Sequence, residues 1–150
     1  MTRMFCVLGA AFIAASAAYA TEKPMKLEAM PPKVQEAIRG EAAGATIKRT
    51  LVEVENGKTL YEAETVRDGR TRDFVVDAAG AVVEIEEEID PASAPAPVKA
   101  AFEKAADGGR IGRLERVTRR GTVTAFEGSV VAKNGKKRSL AVKPDGTPTK

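Results

Sequence analysis

Tyr61-Glu-Ala-Glu-Thr-Val-Arg-Asp-Gly-Arg-Thr-Arg-Asp-Phe-Val-Val-Asp-Ala-Ala-Gly80 returns later in the chain as Phe126-Glu-Gly-Ser-Val-Val-Ala-Lys-Asn-Gly-Lys-Lys-Arg-Ser-Leu-Ala-Val-Lys-Pro-Asp-Gly146. Tyr61 answers to Phe126, Arg72 to Arg138, Phe74 to Leu140, Val76 to Val142 and Gly80 to Gly146. The offset grows by one residue across the central turn, as expected of a duplicated hairpin with one residue inserted in the second turn. A repeat of this period fixes the architecture before any single element is assigned.

Outward from the first copy, the turn residues mark strand ends. Asn56-Gly57 and Asp68-Gly69 are two-residue hairpin signals, and Ala79-Gly80 closes a third turn. Strands are therefore expected over Ile47–Glu55, Lys58–Arg67 and Arg70–Asp77, with a fourth running to Ile89. Short loops set register. Val52 should face Tyr61, Tyr61 should face Val76, and Ala63 should face Phe74. Val76 should then face Val83, and Phe74 should face Ile85. Val52, Val54, Tyr61, Ala63, Phe74, Val76, Val83 and Ile85 would share one face, and a slip of one residue would scatter them.

A helix precedes each set of strands. Pro31-Pro32 opens the first, Val34, Ala37, Ile38 and Ala42 form its apolar stripe, and Gly44 ends it. Pro97 starts the second, with Val98, Ala101, Phe102 and Ala105 in the places of Val34, Ala37, Ile38 and Glu41, and Asp107-Gly108-Gly109 closes it. Helices this short need a surface to lie on, and the apolar sheet face supplies it. Thr21 to Met30 reads as loose, and Asp90 to Pro97 as an extended linker. In the second copy, Ile111 to Arg119 is a strand whose facing is unsettled, because Ile111 and Val117 oppose Leu114 in parity. Lys133-Asn134-Gly135 reads as a three-residue loop with glycine in the left-handed position, which returns Phe126, Gly128, Val130, Leu140 and Val142 to one face. After Asp145-Gly146 the last strand of this copy is missing or a stub. The fold class is thus α+β: two helix-plus-antiparallel-hairpin repeats, 21–90 and 98–150 about a linker at 91–97, in one continuous antiparallel sheet with both helices on one side. Two independent domains on a flexible linker are the competing arrangement.

Met1 to Ala20 reads as an export leader, with Arg3 as its positive start, an apolar run from Phe5 to Ala18 and Ala18-Tyr19-Ala20 as a small-x-small cleavage site. Its run falls short of the roughly 20 apolar residues of a membrane span. Cleavage near Ala20 would remove Cys6 and place the mature chain in the periplasm or outside the cell. The mature chain has no Cys, His or Trp, so no disulfide is expected and the core alone must hold the fold. The charge is divided. Thr21 to Asp90 holds 16 acidic and 10 basic side chains, a net of −6, while Pro91 to Lys150 holds 5 acidic and 13 basic, a net of +8. Such asymmetry concerns partners and association, not fold.

The order of a helix followed by three or four antiparallel strands, with Pro-Pro-x-Val-x-x-Ala-Ile at 31–38, Asn-Gly-Lys-x-x-Tyr-Glu-Ala-Glu at 56–64, Asp-Gly at 68–69 and Val-Asp-Ala-Ala-Gly at 76–80, resembles the PepSY-like family. That family is similar in architecture to the β-lactamase inhibitory protein, whose tandem repeats join into one sheet with helices on one side. The resemblance spans Met30 to Gly146 and consists of turn and core positions. It implies an exported binding module, one acting on peptidases among the options. The cysteines that brace the inhibitory protein are absent, as is a matching set of inhibitor contacts.

No catalytic residue is assigned. Without His or Cys in the mature chain, Ser-His and Cys-His arrangements are excluded, and Ser93, Ser129 and Ser139 sit in a linker and mid-strand. No cofactor and no metal are expected. The other strand face carries Glu62, Glu64, Asp73, Glu84, Glu86 and Glu88, with Glu64, Asp73 and Glu86 in one row across three strands. Like charges directly opposite destabilise a sheet, so salt, a cation or a basic partner should offset them. A solvated face that guards against aggregation ranks first, a basic protein partner second, and calcium last, because strand spacing does not wrap one ion. Arg119, Arg120, Lys133, Lys136, Lys137 and Arg138, with Arg113 and Arg116 nearby, gather about two turns as a basic patch. The aromatics are all used by the core, so nucleic acid is not expected, and an anionic envelope surface suits the patch better. Two functions remain: an exported non-enzymatic binding module using its open sheet face on a protein partner or a second copy, or a structural envelope-associated protein with no specific target.

Overall fold

The computed structural model describes residues 22–55 and 57–149. The leader expected at residues 1–20 and the Asn56 half of the first hairpin turn lie outside the described residues. Among these residues eight strands form one antiparallel sheet whose order runs along the chain: β1 (Lys23–Pro24), β2 (Thr46–Glu55), β3 (Lys58–Arg67), β4 (Arg70–Asp77), β5 (Val82–Ile89), β6 (Arg110–Arg119), β7 (Thr122–Val131) and β8 (Lys137–Val142). Helix α1 (Pro32–Glu41) lies between β1 and β2, and α2 (Ala96–Ala106) between β5 and β6. The continuous sheet expected from the repeat is therefore present. The two halves meet in six paired positions between β5 and β6, from Glu84 opposite Arg119 to Ile89 opposite Leu114.

The turns set the register. Val52 faces Tyr61, Tyr61 faces Val76, Ala63 faces Phe74, and Phe74 faces Ile85, as read from the sequence. One expected pair is corrected: Val76 faces Val82, not Val83. The Asp77 N–H donates to the Ala81 carbonyl at 2.9 Å, so the loop holds three residues, 78–80, and the pairing shifts between Val75 and Val76. A bulge there leaves Val83 outside the core, where its carbonyl accepts the Arg120 N–H at 3.0 Å. Val54, expected inside, is 56 % exposed beside the Gly57 turn at the sheet corner. In the second half, Ala132 N–H donates to the Lys136 carbonyl, and Gly135 has φ +81°, which is the three-residue loop read from the one-residue insertion.

The parity conflict in β6 is resolved by a second kind of bulge. Ile111 pairs with Val130 but Leu114 with Gly128, a shift of one residue. The same shift occurs in β2 between Ile47 and Arg49, so both copies bend at the same place. Ile111 and Leu114 consequently face α2, and Val117 faces the other side.

Each helix covers its own half. Val34 and Ile38 of α1 are fully buried with Met30, Ala42, Tyr61, Ala63, Phe74 and Val76. Val98, Phe102 and Ala106 of α2 pack with Leu114, Phe126, Val130 and Val142. Ile85 borders the first cluster and Ile89 the second. Both belong to one face of β5, so the two helices share one side of the sheet. Two segments are more ordered than the sequence suggests. Lys23–Pro24 pairs with Val52 and Leu51, a 3-10 turn spans Leu27–Ala29, and Met30 is buried. The expected linker holds a 3-10 turn at Pro91–Ser93, because the Asp90 carboxylate caps it by accepting the Ala92 N–H at 2.8 Å.

Candidate functional site

The face opposite both helices is built by alternation along the strands from β2 to β7, interrupted in β7 where its register with β6 shifts. Three rows of side chains cross it. One runs Arg49, Glu64, Asp73, Glu86, Val117, Ala125. A second runs Leu51, Glu62, Val75, Glu84, Arg119, Thr122. A third joins Glu88, Glu115, Glu127 and Ala141. All six carboxylates named from the sequence thus lie on one surface. The row of Glu64, Asp73 and Glu86 is formed across β3, β4 and β5.

This face is half-buried despite having no helix on it. Leu51, Val117 and Ala125 are buried, and the carboxylates stand around them. Two means offset the repulsion. The first is arginine. Arg49 pairs with Glu64, Arg119 with Glu84 at 2.5 Å, and Arg113 with Glu115 and, at 3.8 Å, Glu88. Glu88 also accepts from the Thr71 N–H and hydroxyl, both at 3.3 Å. The second is the proton. Burial, reinforced by Glu84, Glu115, Glu127 and Glu62, pushes the Glu86 carboxyl up to about 8. Burial, with Glu22, Glu64 and Asp73 nearby, pushes Glu62 to about 8 as well. Burial raises Asp73 to about 6, against the Thr65 N–H that donates to it at 3.0 Å. Glu53 and Glu127 are raised too, again chiefly by burial. Protonation thus joins the compensations expected from the sequence, which are salt, a cation and a basic partner.

The basic residues do not form one patch. Arg119 ends β6 and is joined to Glu84 on the acidic face, and Arg120 sits in the turn between β6 and β7. Lys133, Lys136, Lys137 and Arg138 stand at the opposite end of β7 and on the edge strand β8. The ten residues of β7 hold these two groups about 30 Å apart. Arg116 lies on the helix side, paired with Glu87.

Arg49, Arg113, Glu115 and Glu127 also belong to the acidic face, and sequence reasoning alone does not assign them to it. Once the shared bulge places Arg49 and Arg113 in corresponding positions, the alternation of β2, β6 and β7 identifies all four. Elsewhere, a cleft of about 730 Å³ opens beside the β3–β4 turn, lined by Glu41, Arg67, Arg70 and Arg72 among others. Its charges are largely engaged: Arg72 meets Glu41 at 2.7 Å, and Arg67 donates to the Ala43 and Gly44 carbonyls. Among the described residues no group of three or more His, Cys, Asp or Glu side chains could hold a metal ion. No described helix is long and apolar enough to cross a membrane.

No family model matches the chain. No curated protein is significantly similar to it in sequence. Its fold is nonetheless shared. A candidate periplasmic protein from Bacteroides eggerthii is similar at TM-score 0.62 and 18% identity, over 81% of this chain and 86% of that one. A DUF2874 family protein from Bacteroides uniformis is similar at TM-score 0.60 and 18% identity, over 80% and 86%. A BLIP-like protein from Bacteroides fragilis is similar at TM-score 0.54 and 21% identity, over 81% and 84%. At these identities the likeness is one of fold: one antiparallel sheet of the BLIP-like kind.

Proposed function

We propose that the chain is an exported, non-enzymatic binding module that takes a cationic surface of a partner protein on its helix-free face. The observation that carries this reading is the crowding of Glu62, Asp73 and Glu86 on a half-buried surface where burial raises all three carboxyls. A carboxyl held up by burial and like charge is one that an arriving lysine or arginine stabilises as the anion. The leader read at residues 1–20 supports export, as does the periplasmic description of a protein with the same fold. A peptidase or another envelope protein, regulated by being covered, is the target class that the PepSY-like resemblance implies. A role as an envelope component without a specific target would leave the paired strands and crowded acids as a solvated face alone.

Affinity capture from periplasmic extract tests this. The wild-type chain should retain a stoichiometric protein at low salt and release much of it near physiological salt, where the screening length is about 8 Å. The variant E64K/E86K/E88K should keep the fold and lose the protein, because none of the three side chains lies in either helix-side cluster. Retention that ignores both salt and the triple reversal would sink the proposal.

A further inference from the structure

The repeat carries information about the outer edge of β8. The third strand of each copy, and the turn after it, correspond at a constant spacing. In the first copy, the Asp77 N–H donates to the Ala81 carbonyl and the Gly80 N–H to the Asp77 carbonyl, each at 2.9 Å. In the second, the Lys143 N–H donates to the Thr147 carbonyl and the Gly146 N–H to the Lys143 carbonyl, each at 2.8 Å. Val76 pairs with Val82, and Val142 bridges Pro148 in the matching place. The Thr149 N–H then donates to the Ala141 carbonyl at 3.1 Å. A fourth strand is thus begun against β8 in the register that β5 keeps against β4.

In the first copy that strand continues, and Phe74, Asp73 and Arg72 pair with Ile85, Glu86 and Glu87. Their counterparts on β8 are Leu140, Ser139 and Arg138, preceded by Lys137 in the place of Thr71. Among the described residues, no strand pairs with these four on their outer side. Alternation from Ala141, whose carbonyl points outward, sends the N–H and carbonyl groups of Ser139 and Lys137 outward too. Lys137, Arg138 and Ser139 are exposed. Where β4 sets Asp73 against Glu86, β8 offers an uncharged Ser139. Where β4 offers Thr71 to Glu88, β8 offers the cation of Lys137.

We propose that the outer edge of β8, from Lys137 to Leu140, accepts an acidic extended segment of a partner protein as an added antiparallel strand. The segment has a β-branched residue opposite Leu140 and carboxylates opposite Arg138 and Lys137. Main-chain bonds to an open edge supply such binding with its affinity, and side-chain pairing supplies selectivity. The two cations repel a second β8 edge while attracting this class of strand, so self-pairing is disfavoured. The chain's own β5 is held on both sides within the sheet and is not free to serve. The site is separate from the acidic face, and neither proposal depends on the other.

The probe is an end-blocked peptide of the β5 sequence, Ile85-Glu-Glu-Glu-Ile-Asp90, titrated into the full chain at low salt with backbone amide signals monitored by NMR. Saturable shifts centred on β8 are expected, with new protection from hydrogen exchange at the Lys137 and Ser139 amides. The variant K137E/R138E, altered only at two exposed edge positions, should weaken the peptide at least tenfold. A peptide with its Glu residues changed to Lys, and one N-methylated on the edge-facing amides, should both fail to bind. Absence of saturable binding, shifts centred away from β8, or equal binding of the N-methylated peptide would each overturn the proposal.

Discussion

Glu86 faces Val117 on one neighbouring strand and Asp73 on the other, so no cation stands directly opposite it in the sheet. Its carboxyl rises to about 8, as does that of Glu62, while the unfolded chain would titrate both near the ordinary value of about 4.3. The folded state therefore binds more protons than the unfolded state between those limits. Stability from these two groups is fully present below about pH 4.3 and is lost as pH rises through about 8. Replacing either by glutamine keeps the shape and removes the titration. E86Q should raise the melting temperature at pH 9 by about 3 °C, on the order of 1 kcal/mol, and leave it nearly unchanged at pH 4. Thermal scans of the wild type and E86Q at the two pH values decide this, and a gain of the same size at both would contradict it. The cationic partner proposed for this face prefers the anions. Its affinity should therefore grow from pH 5 to pH 8, with protons released on binding, which calorimetry in buffers of different ionisation enthalpy measures.

The turns after β4 and β8 lie against the helix starts. A Cβ placed on Gly80 would meet the Lys33 carbonyl at 2.9 Å, and one on Gly146 would meet the Pro97 carbonyl at 2.5 Å. Both glycines have φ near +80° or above, so an alanine there is strained twice, by backbone and by contact. Gly135 has the same kind of φ with open space around it. G146A should lower stability in urea by about 2 kcal/mol or more and G135A by about 1, a difference assigned to helix contact. Equal losses would remove that contact from the account. These turns are legible in the sequence because only certain residues adopt left-handed backbone. Strand limits at β3 and β4, and most of the first register, come from Asn56-Gly57, Asp68-Gly69 and the turn that ends at Gly80. The bulges are not legible in this way. Neither Lys48 nor Val83 is a residue type that bulges demand, and their place depends on pairing across the sheet. Of the acidic face, the carboxylate row can be read by counting alternate residues. Arg49 follows the same count, since its register with β3 is unbroken as far as Glu55, whereas Arg113 lies within the β6 bulge and does not.

At the scale of the molecule, six paired positions and the contact of Ile89 with Leu114 join two halves that each have their own helix and apolar cluster. Arg119–Glu84 and Arg116–Glu87 cross the same seam, one on each face of the sheet. Separating the chain after Pro91 would leave β5 with a bare, acidic edge. Neither fragment should keep the urea midpoint of the intact chain, and circular dichroism of each fragment, alone and mixed, checks this. Two fragments that each retain full stability would establish independent domains. The order of strands along the chain has a further consequence, for the speed of folding. Because every strand neighbours its predecessor, hairpins can form locally and add in turn, which favours fast folding for a protein so rich in sheet. The longest step from β2 onward is to close β5 on β6 across the twenty residues between them. L114A at that seam should slow refolding, whereas V142A in the last strand should chiefly hasten unfolding, and the two limbs of a urea chevron separate these effects.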